Sequence, residues 1–124
     1  MRTLIVDGIK RYLPEHIWSQ LCTRFDTSRA KINSFGYYNI RASSICLISN
    51  NRCTRCPLRD PHKKTNSCTY LFRKMIGEEL FPYIHLFDYV IMWDPKFDSE
   101  ARTAIQKVRD ILFAAEKVSS RLAK

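Results

Sequence analysis

Tyr83-Ile84-His85-Leu86-Phe87-Asp88-Tyr89-Val90-Ile91-Met92-Trp93 is the stretch on which the fold class turns. It is rich in β-branched and aromatic residues, which favour strands. Its apolar positions nevertheless fit either the two-residue period of a strand or the 3.6-residue period of a helix. Read as strand it makes the chain α+β; read as helix it makes the chain mostly α.

Its neighbours are plainer. Asp94-Pro95 is a turn, and Asp98 or Ser99 caps a helix running from about 98 to 122. Ala101, Ala104, Ile105, Val108, Ile111, Leu112, Ala115, Val118 and Leu122 form its apolar stripe. On the other side, Ser67 or Thr69 opens a helix through Tyr70 to Ile76, stopped by Pro82. Nearer the start, Thr3 to Val6 is β-prone and ends in the turn pair Asp7-Gly8. Pro14-Glu15 opens a helix to about Phe25, with Trp18, Leu21, Cys22 and Phe25 on one face. Asp26 to Ser34 reads as a loop and Gly36 to Ser49 as β, with Tyr38, Ile40 and Ala42 alternating against Asn39, Arg41 and Ser43. The expectation is one α+β domain over residues 1–124: a small antiparallel sheet, three or four helices and a cysteine-rich loop at 46–68.

Hydrophobic residues make up 45% of the 124, enough to build a core, so disorder is not expected. The longest apolar run, Leu80 to Trp93, is interrupted by Pro82, His85 and Asp88. A membrane span needs roughly 20 apolar residues, so this run is core. The start has no signal-peptide pattern. A cytoplasmic protein without membrane contact is the expectation, and in a reducing compartment clustered cysteines favour metal over disulfides.

The cysteines supply the strongest motif: Cys46-x6-Cys53-x2-Cys56-Pro57-x10-Cys68. A Cys-x-x-Cys pair sets two sulfurs on one side of a tight turn, and the two outlying cysteines can complete the coordination of one metal centre. Cys22 lies in the apolar stripe of its helix and reads as a core thiol. Two centres fit the spacing. Structural zinc usually takes two close ligand pairs, whereas three cysteines in a short run, one followed by proline, with a fourth further on, is nearer to [4Fe-4S] usage. The x6 and x2 gaps are similar to the [4Fe-4S] loop of the endonuclease III-like DNA glycosylases. That family closes its loop with a much shorter last gap and carries a helix-hairpin-helix not recognisable here, so glycosylase activity is not implied. The Cys-x-x-Cys-Pro-Leu…Cys pattern from Cys53 to Cys68 also resembles that of small uncharacterised metal-binding proteins of phages and mobile elements. A rival set, Cys53-x2-Cys56-x5-His62-x5-Cys68, is similar to a retroviral-type zinc knuckle; it makes His62 a ligand and leaves Cys46 in the core.

The formal charge is +9 and unevenly placed. Residues 1–68 carry 12 basic and 4 acidic side chains, residues 69–124 carry 9 and 8. Concentrated positive charge suits a polyanion, nucleic acid foremost. Arg52, Arg55, Arg59, Lys63 and Lys64 crowd the cysteine loop against Asp60 alone. Five positives exceed the net −2 of a four-thiolate centre, which leaves a surplus for phosphate. Arg41 with Tyr37 and Tyr38 suggests a base-stacking platform; core packing explains the tyrosines equally well. Asp88, Asp94, Asp98 and Glu100 could form a two-metal nuclease cluster, although turn and cap duties account for Asp94 and Asp98. No nucleophile motif, phosphate loop or dinucleotide fingerprint is present, so neither catalysis nor a small-molecule substrate is expected. Three functions remain: a metal-stabilised nucleic-acid-binding protein; an adaptor whose aromatic stretch Phe81 to Trp93 or last helix is covered by a protein partner; and an iron–sulfur redox protein.

Overall fold

Asp7 and Gly8 both take positive φ, 53° and 76°. That is the requirement of the tight two-residue turn whose twist matches paired strands. It joins β1 (Arg2–Val6) to β2 (Ile9–Leu13), with Val6 opposite Ile9 and Arg2 opposite Leu13. A computed structural model of the chain describes residues 1–41, 56, 58, 68–87 and 90–117, Cys68 by its backbone alone. Within them the fold is α+β, with three α-helices and two small antiparallel sheets where the sequence suggested one.

The first sheet has the order β2-β1-β7, β7 being Glu116–Lys117. Leu4 and Val6 face inward from β1 and are buried. Helix α1 (Glu15–Arg24) follows Pro14 as expected and buries Ile17 and Leu21; Phe25 is buried just after it. Helix α2 (Cys68–Ile76) sets Phe72 against Phe25, just past α1, with 5.0 Å between ring centroids.

Helix α3 (Asp98–Phe113) packs against α1, α2 and β1, burying Ala101, Ala104, Ile105, Val108 and Leu112. It stops at Phe113 rather than continuing to about 122. Ala115 is still buried, but the chain then straightens into β7 to pair with β1. Val118 and Leu122 lie outside the described residues. Its cap also differs from expectation: neither Asp98 nor Ser99 caps, since Phe97 holds that position without a side-chain bond. The Asp98 carboxylate instead accepts from Trp93 Nε1 (2.9 Å) and from Arg102 Nε (2.7 Å).

The ambiguous stretch is a hairpin. β5 (His85–Phe87) and β6 (Val90–Trp93) join β4 (Tyr38–Arg41) and β3 (Lys31–Ile32) in a second sheet of order β3-β4-β6-β5. Alternation along each strand divides its two faces. Ile40, Ile91 and Trp93 are buried on the inner face, where Tyr38 stacks on Trp93 at 5.4 Å between centroids. Asn39, Arg41, Val90, Met92, His85 and Phe87 alternate onto the other face, half-buried or exposed. No helix among the described residues is long and apolar enough to cross a membrane.

Candidate nucleic-acid interface and metal centre

The basic residues meet where α1 ends. Asp26 starts a short turn of 3-10 helix (Thr27–Arg29), its carboxylate accepting from the Ser28 backbone N–H and hydroxyl. That turn folds Arg29 back beside the last turn of α1. Ser19, Gln20, Thr23, Arg24 and Arg29 then line an open groove of about 220 Å³. The groove is lined by two guanidinium groups, two hydroxyls and an amide, groups able to donate to phosphate oxygens. The Thr23 hydroxyl donates to the Ser19 carbonyl at 3.2 Å, and among the described residues no carboxylate lines the groove. Arg24 donates from Nη1 to the Arg41 carbonyl, so the groove adjoins the end of β4. Arg41 itself is exposed there, and β3 sets Lys31 opposite Asn39, on the Arg41 side of the sheet. Residues 27–59 hold no Asp or Glu.

Arg41 is thus placed with Arg24, Arg29 and Lys31, which residue patterning had not singled out. The signal was the acid-free run, visible as soon as acids are counted along with bases. Arg52, Arg55, Arg59, Lys63 and Lys64 lie outside the described residues. Tyr38 corrects the platform suggested for Tyr37 and Tyr38, because its ring is committed to the core against Trp93. Within the stretch proposed for an adaptor surface, Trp93 is 0% exposed, whereas Phe87 is 54% exposed.

Of the four proposed thiolates, Cys46 and Cys53 lie outside the described residues, as does the rival ligand His62. Cys56 is a half-buried free thiol packed against the core, next but one to Leu58, which is 2% exposed. Cys56 and Leu58 are therefore both anchored on the protein body. Cys68 opens α2. Cys22, half-buried on α1, is a different case. Burial pushes its thiol up, against the opposing pull of Arg2 and Arg109, and it packs against the core. Among the described residues no three His, Cys, Asp or Glu side chains converge to hold a metal ion. Of the four acids considered for a two-metal nuclease cluster, Asp94 accepts from the Lys96 N–H, and Asp98 is engaged by Arg102 and Trp93. Asp88 lies outside the described residues.

Among the described residues four carboxylates are held below their usual range. Arg2 hydrogen-bonds Glu15 through Nε at 2.9 Å and Nη2 at 3.0 Å, while its guanidinium lies 3.8 Å from the Trp18 ring centroid. Ser28 does the same for Asp26, Arg73 for Glu78, and Arg102 followed by Trp93 for Asp98. A carboxylate with a depressed folded pKa contributes stability that is complete above its unfolded value, about 4. That contribution is lost as pH falls through the lower folded value. The melting temperature is therefore expected to be flat near neutrality and to drop below about pH 4, with a shallower drop in Asp98→Asn. A melting temperature unchanged from neutrality to about pH 3 would contradict this.

No protein-family profile, no curated protein and no solved structure matches the chain.

Proposed function

We propose that this chain is a small metal-stabilised protein that binds nucleic acid through its basic N-terminal half and cysteine loop. The observation that carries the reading is the donor-lined groove of Arg24 and Arg29, adjoining Arg41 where the chain passes into the segment with Arg52, Arg55, Arg59, Lys63 and Lys64. Guanidinium forks bind phosphate oxygens in pairs, and contacts of this kind fix a polynucleotide in register without reading its sequence. The role of the cysteine centre, [4Fe-4S] or zinc, is to fold the loop that carries the other five cations.

Salt dependence tests the reading. Affinity for a labelled duplex should fall with added salt on a log–log slope of about 0.9 per phosphate contacted, and about 0.7 on a single strand. Changing Arg52, Arg55 and Arg59 to Gln together, or Arg29→Gln alone, should lower both affinity and slope while metal content is unchanged. Charge reversal at the exposed Lys107 and Lys117 is the control and should matter little. Arginine variants that bind like the wild type at every salt concentration would remove the nucleic-acid reading and leave the loop charges as compensation for thiolates.

A further inference from the structure

On one side of the second sheet the side chains are exposed or half-buried, and they do not look like ordinary solvated strand positions. Phe87, on the edge strand β5, is 54% exposed, and His85 shares its face two residues away, about 7 Å along the strand. Val90 and Met92 lie between this aromatic edge and Asn39 and Arg41 on β4, with Lys31 beyond on β3. Among these positions the only charged side chains are basic. A sheet face left to water normally carries polar residues of both signs; this one carries an apolar and aromatic floor with cations on one side.

The β3–β4 turn adds a second exposed ring. Phe35 is 84% exposed, the most exposed large hydrophobic residue among those described. Flexibility does not account for it, because the turn is tied down. The Asn33 side chain accepts from the Phe35 and Tyr37 N–H groups, both at 3.0 Å, the Asn33 N–H donates to the Tyr37 carbonyl at 2.7 Å, and Gly36 supplies the positive φ of 85°. The Asn33 amide also reaches the Met92 sulfur at 3.8 Å, fastening the tip to the open face. Phe35 is therefore held out on a built turn at the rim of that face.

We infer that the open face of the second sheet is a stacking platform for single-stranded nucleic acid, with Phe87 and Phe35 stacking on bases and Lys31 and Arg41 meeting the backbone phosphates. The inference deepens the proposed function and rests on it. Rings presented on a sheet among cations are what unpaired bases require, while a duplex keeps its base faces covered. Among the described residues of this face the charged side chains, Lys31 and Arg41, are both basic, which argues for a polyanion over a protein partner.

The test uses the full chain, a labelled oligodeoxythymidine of about 15 nucleotides, and a duplex of the same length. Phe87→Ala and Phe35→Ala should each weaken single-strand binding by about tenfold, the order of one base–aromatic stack. Duplex binding and the salt slope should hardly change, because the lost contact is uncharged. Phe87→Tyr, which keeps a ring, should restore binding, and circular dichroism should show all variants folded. If both alanine variants bind the single strand like the wild type while the salt slope still depends on Arg52, Arg55 and Arg59, the platform is wrong and the proposed function stands. A purified protein that loses its hold on the chain when Phe87 is changed, with single-strand binding intact, overturns the platform in favour of a protein partner. A wild-type chain that binds no nucleic acid at low salt removes both.

Discussion

On the proposed four-cysteine centre, alanine at Cys46 or at Cys68 is expected to release the metal and with it most of the stability of the fold, whereas alanine at Cys22 leaves the metal content unchanged. The binding energy of a structural metal centre is folding energy, about 10–16 kcal/mol in small zinc peptides. A domain of ordinary stability has only about 5–15 kcal/mol in total. Losing one of four ligands therefore matters on the scale of the whole fold. Cys22 differs because it packs against the core from α1, away in sequence from the cysteine loop. Zinc and iron content, the visible spectrum and a thermal melt on anaerobically purified protein check all three variants at once. A [4Fe-4S] centre makes the wild type brown, bleachable by dithionite and loaded with about four irons per chain. Full metal content in Cys46→Ala would instead move the fourth ligand to His62.

Trp93→Ala is expected to cost about 3–5 kcal/mol, the range for a large aromatic removed from a core. The ring is entirely buried, stacks on Tyr38, and donates to Asp98 at the start of α3. Its removal leaves a cavity between the second sheet and that helix, and withdraws one of the two donors on the Asp98 carboxylate. For a chain of this size the melting temperature should fall on the order of 10–20 °C. Trp93→Phe keeps a ring against Tyr38 and loses only the indole donor, so its loss should be a fraction of that. A melt of Trp93→Ala within about 3 °C of the wild type would show that Trp93 does not join sheet to helix.

How much of this was legible beforehand depended on whether a segment buries one face. The cores of α1, α2 and α3 could be read because their apolar residues recur at helical spacing. The end of α3 could not, because Ala115, Val118 and Leu122 continue the stripe with no glycine or proline to stop it. What ends the helix is pairing of Glu116 and Lys117 with β1, a contact across almost the whole described chain. β2 and β3 escaped for the opposite reason: Lys10, Arg11 and Lys31 stand on edge strands that bury little, so no alternation appears. Residues 83–93 stayed ambiguous because both faces of the hairpin are apolar. Leu86, Ile91 and Trp93 point inward, yet Phe87, Val90 and Met92 on the outer face are equally hydrophobic, and it is this second apolar side that makes the platform. The Arg24–Arg29 groove was hidden for a simpler reason. It exists only once the turn after α1 folds back.

The placing of β1 between β2 and β7 has a consequence for the order in which the molecule assembles. β2 arrives through a two-residue turn and can pair as soon as it is synthesised, and the Arg2–Glu15 ion pair can form with it. The opposite edge of β1 stays vacant until residues 116 and 117 have left the ribosome, and so does the Ala115 carbonyl that Arg2 Nη1 reaches at 3.5 Å. Closure over so long a separation carries an entropy cost that grows with the logarithm of the intervening length. Only two residue pairs, Arg2 with Lys117 and Thr3 with Glu116, hold the clasp once it shuts. It should be the last part of this sheet to form and the first to open, exchanging its amide protons well before those of the β1–β2 hairpin.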